Sequence, residues 1–149
     1  MATSPTPGGT PVSIDLHKIG EHRFQATNAR GGSVTIGHGD DPDFTPVELL
    51  LAAIEACGAL DIDFITGKRA PFADFLARAQ GLKVRDEQGN HVVDIQVTYD
   101  ARFPEGEAGD AARAVLPDAV RKSQERLCTV GRTVTLGSPV AYAPGELER

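Results

Sequence analysis

The chain has no tryptophan, and aromatic residues make up only 5% of its 149 positions. Its core must therefore rest on Leu, Val, Ile and Ala. Basic residues are outnumbered by acidic ones, and the formal net charge is −6. A nucleic-acid binder would show a basic face, so this balance argues against that class and favours solubility. Long apolar runs are missing too. The one window that approaches membrane-spanning length is broken by Glu48, Glu55, Asp61 and Asp63. The opening MATSPTPGGTP has neither a basic region nor an apolar stretch, and reads as a disordered tail instead of a signal peptide. The expected location is the cytoplasm, with no membrane association. Cysteine is scarce, at two residues, and there is no CxxC and no histidine cluster at metal spacing. In a reducing compartment, two such cysteines are inert or catalytic more often than a permanent disulfide.

What is present supports one ordinary soluble domain. Hydrophobic residues are 40% and charged residues 24%, and the length permits a single core. We divide the chain into a tail at 1–10, a domain at 11–142 and a C-terminal tail at 143–149. The longest apolar stretch is residues 45–68, TPVELLLAAIEACGALDIDFITGK. Thr45 can cap a helix, Pro46 suits the first helical position, and Glu48 can close a capping box with Thr45. Leu49, Leu50, Ala53, Cys57, Leu60 and Phe64 recur at spacings of three and four, which predicts one shared buried face. Gly58 costs the helix about 1 kcal/mol against Ala, so something other than helix propensity placed it there.

Around this helix, alternation predicts strands at 12–18, 22–28 and 33–37. Their inward sides would be Val12, Ile14, Leu16; Phe24, Ala26; and Val34, Ile36. Residues 29–32, with two glycines, make a tight hairpin loop. Pro71 ends the helix. Residues 72–84 fit a short helix or a strand; the turn at 86–90 and the clear strand at 91–102 favour the strand, in a further hairpin. A second helix spans 110–127, bent at Pro117, with Ala111, Ala114, Val115, Ala119 and Leu127 mostly on one face. Residues 129–136 read as a final strand. The order βββ-α-ββ-α-β defines an α+β fold, with antiparallel sheet around two helices.

Cys57 and Cys128 are the strongest chemical pair, since each lies in or beside one of the two helices. If the helices pack together, the sulfurs can meet; the bland alternative is that both are small core residues. A free thiol with a pKa of about 8.5 is only about 3% ionised at neutral pH, so a reactive one needs a cation. Arginine suits best, because its fork can hold a thiolate and a peroxide oxygen together. Arg30, on the glycine-rich loop, is the most available, with Arg69, Arg126 and Arg132 as competitors. Glu48 caps the helix and can also hold the arginine through a charge-assisted pair. Glu55 points away from Cys57, toward solvent or a partner chain. His17, His22, His38 and His91 are scattered surface residues without a triad.

The run from Pro46 to Ala53, followed by Ala56-Cys57-Gly58-Ala59-Leu60-Asp61 and later Leu127-Cys128-Thr129-Val130, resembles the OsmC/Ohr family of osmotically inducible and organic hydroperoxide resistance proteins. The likeness covers about residues 12–140. It implies an interwoven homodimer with the long helices central and active sites at the subunit interface. It further implies Cys57 as peroxidatic and Cys128 as resolving cysteine. The stretch Ala26 to Gly31 resembles the family segment bearing its arginine, which points to Arg30. In the hydroperoxide branch the glutamate directly follows the proline; here Val47 does, and Glu48 comes one step later. The implied activity is reduction of an organic hydroperoxide through a Cys57 sulfenic acid and a Cys57–Cys128 disulfide. An external dithiol, a lipoyl protein or a thioredoxin-like one, would reduce that disulfide, and no flavin, haem or metal is required. Leu49, Leu50, Leu60 and Phe64 would line an apolar substrate site. The non-enzymatic alternative is a dimer of this fold that binds an apolar ligand or senses redox state.

Overall fold

The computed structural model describes residues 6–147. Residues 1–5 and 148–149, part of the two expected tails, lie outside the described residues. By its contacts the chain forms two compact units, Met1–Leu49 and Leu50–Arg149, each described here by itself.

The first unit is a three-stranded antiparallel meander of β1 (Asp15–Gly20), β2 (Arg23–Thr27) and β3 (Ser33–Ile36). β2 is central, pairing Leu16 with Ala26 on one side and Ala26 with Val34 on the other. The expected hairpin loop at 29–32 is closed by Asn28, whose Oδ1 accepts from the Arg30 and Gly32 amides, each at 3.0 Å. The expected inward sides are only partly covered. Ala26 is buried, but Leu16 is 54% and Val34 41% exposed, and Val12 and Ile14 precede β1 in the open. Three strands with one face need something to lie on that face, and the described residues of this unit supply nothing for it. At the end of the unit, the Arg23 guanidinium donates to Asp43 at 2.7 Å and anchors the loop before the long helix.

That helix, α1 (Pro46–Thr66), starts as its sequence dictates. The Glu48 amide donates to Thr45 Oγ1 at 3.3 Å, and Glu48 Oε2 accepts from the Thr45 amide at 3.0 Å. The capping box is complete. The buried face differs from the expected one. Ile54, Gly58, Ile62 and Thr66 form the buried stripe, whereas Leu60 and Phe64 are exposed. A helix that is apolar nearly all round offers two stripes with the same period, and periodicity cannot choose between them.

In the second unit, β4 (Asp74–Asp86) and β5 (Gly89–Arg102) form a long antiparallel hairpin. Its register shifts where Gly81 opposes both Asp94 and Ile95. Asp94 takes φ 53° there, a left-handed conformation that Asp tolerates better than most residues. The small core joins Ala70, Phe103 and Ala112, with Phe72, Ala101 and Leu116 packed on it. α2 (Glu107–Lys122) carries Pro117 in its interior. Its buried residues are Gly109, Ala112 and Ala119, so Ala111 and Ala114, expected on the inner face, point outward. A π-turn (Ser123–Leu127) follows, and Leu127, also expected inward, is 47% exposed. Residues 129–136 are a helix, α3 (Thr129–Leu136), and not the expected strand. Their β-branched residues suggest a strand, but capping at both ends makes them helical. Cys128 Sγ accepts from the Gly131 amide at the start, and Gly137 takes φ 64° at the end.

Candidate functional site

The second unit brings Cys57 and Cys128 together. Cys57, at the middle of α1, is half-buried, and Cys128, at the N-terminus of α3, is buried; both are free thiols. The Cys128 thiol donates to the Ile54 carbonyl at 3.8 Å and accepts from the Gly131 amide at 3.3 Å. It is thus held on α1 one turn before Cys57. Burial pushes the Cys128 thiol up; the Gly131 amide pulls the other way, and neighbouring Cys57 and Asp61 add to the upward push.

Three residues that the sequence reading passed over complete this cluster. Tyr99, on β5, donates its hydroxyl to the Glu55 carbonyl at 3.2 Å. Burial, then the nearby Cys128, Glu55, Cys57 and Asp61, push it up to about 12, so it remains a neutral donor at physiological pH. Gly58 now has its reason: a Cβ there would run into the Tyr99 hydroxyl. A helix-interior glycine with poor propensity was the signal that a bulky group approaches, although nothing in the sequence named Tyr99. Ser123 is buried and donates to Asp61 Oδ2 at 2.8 Å. Asp61 follows Cys57 by one turn on the same face. Glu55 is half-buried, and its Oε2 is out of solvent without a hydrogen-bond partner among the described residues. A position facing solvent is thereby corrected.

The other expected site residues fall elsewhere in the chain. Arg30, on the exposed turn of the first unit, engages Asn28 only through its backbone amide. Glu48, in the same unit, is exposed and occupied by the capping box. Among the competitors, Arg132 is half-buried on α3 and its amide donates to the Cys128 carbonyl at 2.8 Å. Arg69 and Arg126 are exposed. Leu49 and Leu50 are half-buried, whereas Leu60 is 58% and Phe64 73% exposed. A cavity of about 500 Å³ opens on Cys128 and is lined by apolar Ile54, Val97 and Val134 and by polar Gln96, Thr98 and Gln124 among others. Among the described residues, no group of three His, Cys, Asp or Glu is arranged to hold a metal ion. No helix among them is long and apolar enough to cross a membrane.

A long helix, antiparallel sheet and two adjacent thiols beside a cavity define a two-cysteine α+β protein. The profile of the OsmC-like protein family matches residues 37–143. The chain belongs to that family. Its fold is similar to that of a hypothetical protein from Aquifex aeolicus, with TM-score 0.68 and 24% identity over 87% of this chain and 91% of the other. An OsmC-like protein of unknown function from Vibrio cholerae is similar with TM-score 0.69 and 14% identity, over 84% and 94%. The organic hydroperoxide resistance protein OhrB of Bacillus subtilis is similar with TM-score 0.51 and 16% identity, over 81% and 90%. No curated protein sequence matches the chain.

Proposed function

We propose that the protein is a thiol peroxidase that reduces organic hydroperoxides to alcohols. The observation that carries the reading is the pair of free thiols, Cys57 and Cys128, held side by side next to a cavity of mixed polar and apolar lining. The likeness to an organic hydroperoxide resistance protein of Bacillus subtilis supports the same chemistry. The Cys57 thiolate attacks the distal peroxide oxygen and the O–O bond breaks. The leaving alkoxide takes a proton and departs as the alcohol, and Cys57 becomes a sulfenic acid. The Cys128 thiol then gives up its proton, its sulfur displaces the hydroxyl, and a disulfide and water form. An external dithiol, lipoyl-bound or thioredoxin-like, reduces that disulfide by exchange. Arg30 serves as the cation that favours the thiolate and the departing charge, and Glu48 holds it. Leu49, Leu50, Leu60 and Phe64 receive the alkyl tail. The work takes place in the cytoplasm.

The active form in this reading is a homodimer. Leu60, Phe64, Leu76 and Leu82 lie exposed in the second unit, and covering each offers about 1.5–3 kcal/mol. A partner copy is the cover that this reading assigns. One observation favours a second, non-enzymatic reading. The cavity reaches Cys128 but not Cys57, and burial opposes Cys128 ionisation, as suits a ligand site in which the cysteines serve as packing.

The readings part in a single titration. Reduced protein mixed with cumene hydroperoxide should lose free thiol stoichiometrically and form one disulfide. Cys57→Ser should abolish turnover, and Cys128→Ser should allow one oxidation without recycling. Full peroxidase rate in Cys57→Ser would overturn the mechanism, and no thiol loss in the unmodified chain would leave the ligand-binding reading.

A further inference from the structure

Ser123 is a small polar residue that lines the cavity beside Cys128. It is 3% exposed and sits where α2 gives way to the π-turn. A buried serine in a helix ordinarily returns its hydroxyl proton to a carbonyl one turn back. This one instead reaches another element and donates to Asp61 Oδ2 at 2.8 Å. Its own carbonyl accepts the Cys128 amide at 2.9 Å, five residues on. That bond belongs to a π-turn, whose extra residue swings the chain relative to an α-helix. Cys128 then leaves in an extended conformation, φ −68° and ψ 95°. Two bonds through one residue thus join the cysteine segments: α1 from Cys57 to Asp61, Asp61 to the Ser123 hydroxyl, and the Ser123 carbonyl to Cys128.

We propose that Ser123, anchored by Asp61, is a positioning residue that fixes the approach of Cys128 to Cys57 and so governs disulfide closure without taking part in peroxide attack. The inference rests on the thiol-peroxidase reading for its place in a cycle, but its geometry concerns the disulfide alone. The closing step is redox-neutral between sulfenic acid and thiol. A Cys57–Cys128 sulfur bond forms, the Cys57 S–O bond breaks, and the hydroxyl leaves as water with the Cys128 proton. Reactions of this kind are sensitive to placement, since a displacement of about 1 Å can cost about a hundredfold in rate.

The test follows the two steps separately on the full chain. After one equivalent of cumene hydroperoxide, dimedone traps the sulfenic acid and gel mobility reports the disulfide. Ser123→Ala should lose the Cys57 thiol at the unmodified rate, yet accumulate sulfenic acid and close the disulfide at least about tenfold more slowly. Ser123→Thr keeps the hydroxyl and should close it within a few-fold of the unmodified chain. Asp61→Asn keeps an acceptor for Ser123 but removes a negative neighbour of Cys128, so closure should persist with its pH profile moved to lower pH. A merely structural role would not produce that split between the variants. Closure in Ser123→Ala at the unmodified rate would overturn the proposal. So would an equal slowing in Ser123→Thr and Ser123→Ala. If the unmodified chain ignores the peroxide, the peroxidase reading fails while this inference is tested with diamide. Diamide takes two electrons and two protons from the dithiol to give the disulfide and a hydrazine, and the same order of closure rates is expected.

Discussion

Gly58 and Tyr99 show how a residue that weakens one element can be required by another. The glycine lowers the helix propensity of α1 by about 1 kcal/mol relative to Ala, but its bare backbone admits the Tyr99 hydroxyl, which bonds the Glu55 carbonyl. Gly58→Ala should therefore destabilise the protein by about 1–3 kcal/mol through overpacking, despite the gain in propensity. Urea unfolding checks it. Tyr99→Phe removes the colliding oxygen, so the double variant should lose less than the two single losses combined. Strict additivity would show that the two residues are not in contact. At this scale the sequence marked Cys57, Cys128 and the oddity of Gly58. Tyr99, Asp61 and Ser123 were silent, because a tyrosine in an alternating strand, an aspartate on a helix and a serine near a helix end are all ordinary in sequence.

Among the elements, α1 is the one whose start was fully legible. Thr45, Pro46 and Glu48 are local signals, and the capping box needs nothing beyond three neighbouring residues. Thr45→Ala should cost about 1 kcal/mol and lower the melting temperature, with Thr45→Ser close to neutral. Which stripe of α1 is buried was not legible. Both stripes are apolar, and the choice of Ile54, Gly58, Ile62 and Thr66 depends on Tyr99 and Ser123 arriving from distant segments. The strand expected at residues 129–136 fails for a related reason. Thr129, Val130, Thr133, Val134 and Thr135 have strand propensity, yet strand propensity is realised only against a neighbouring strand. Here the segment is stopped by Gly137 with Pro139 two residues on, a helix C-terminus signature that was available in the sequence.

For the whole molecule, the telling feature is the amount of large apolar surface left uncovered. Leu60, Phe64, Leu76, Leu82 and Leu136 are each more than half exposed, and a second copy of the chain would cover apolar residues of this kind. Sedimentation equilibrium at micromolar concentration should give twice the chain mass of 15.8 kDa. Phe64→Asp should weaken the association at least about tenfold, since a buried Phe contributes about 1.5–3 kcal/mol. A monomeric mass for the unmodified chain would remove the partner-covered face from the account.

By itself the sequence determined what is local or periodic. It marked the capped helix, the alternating strands and glycine turns, the order of most elements, and two cysteines in a motif specific enough to indicate the family. Each of these depends on residues within a few positions of one another. Tertiary structure alone decided which helix face is buried and that Tyr99, Asp61 and Ser123 gather at the thiols. Those outcomes depend on contacts between segments dozens of residues apart, and no short stretch of chain carries that information.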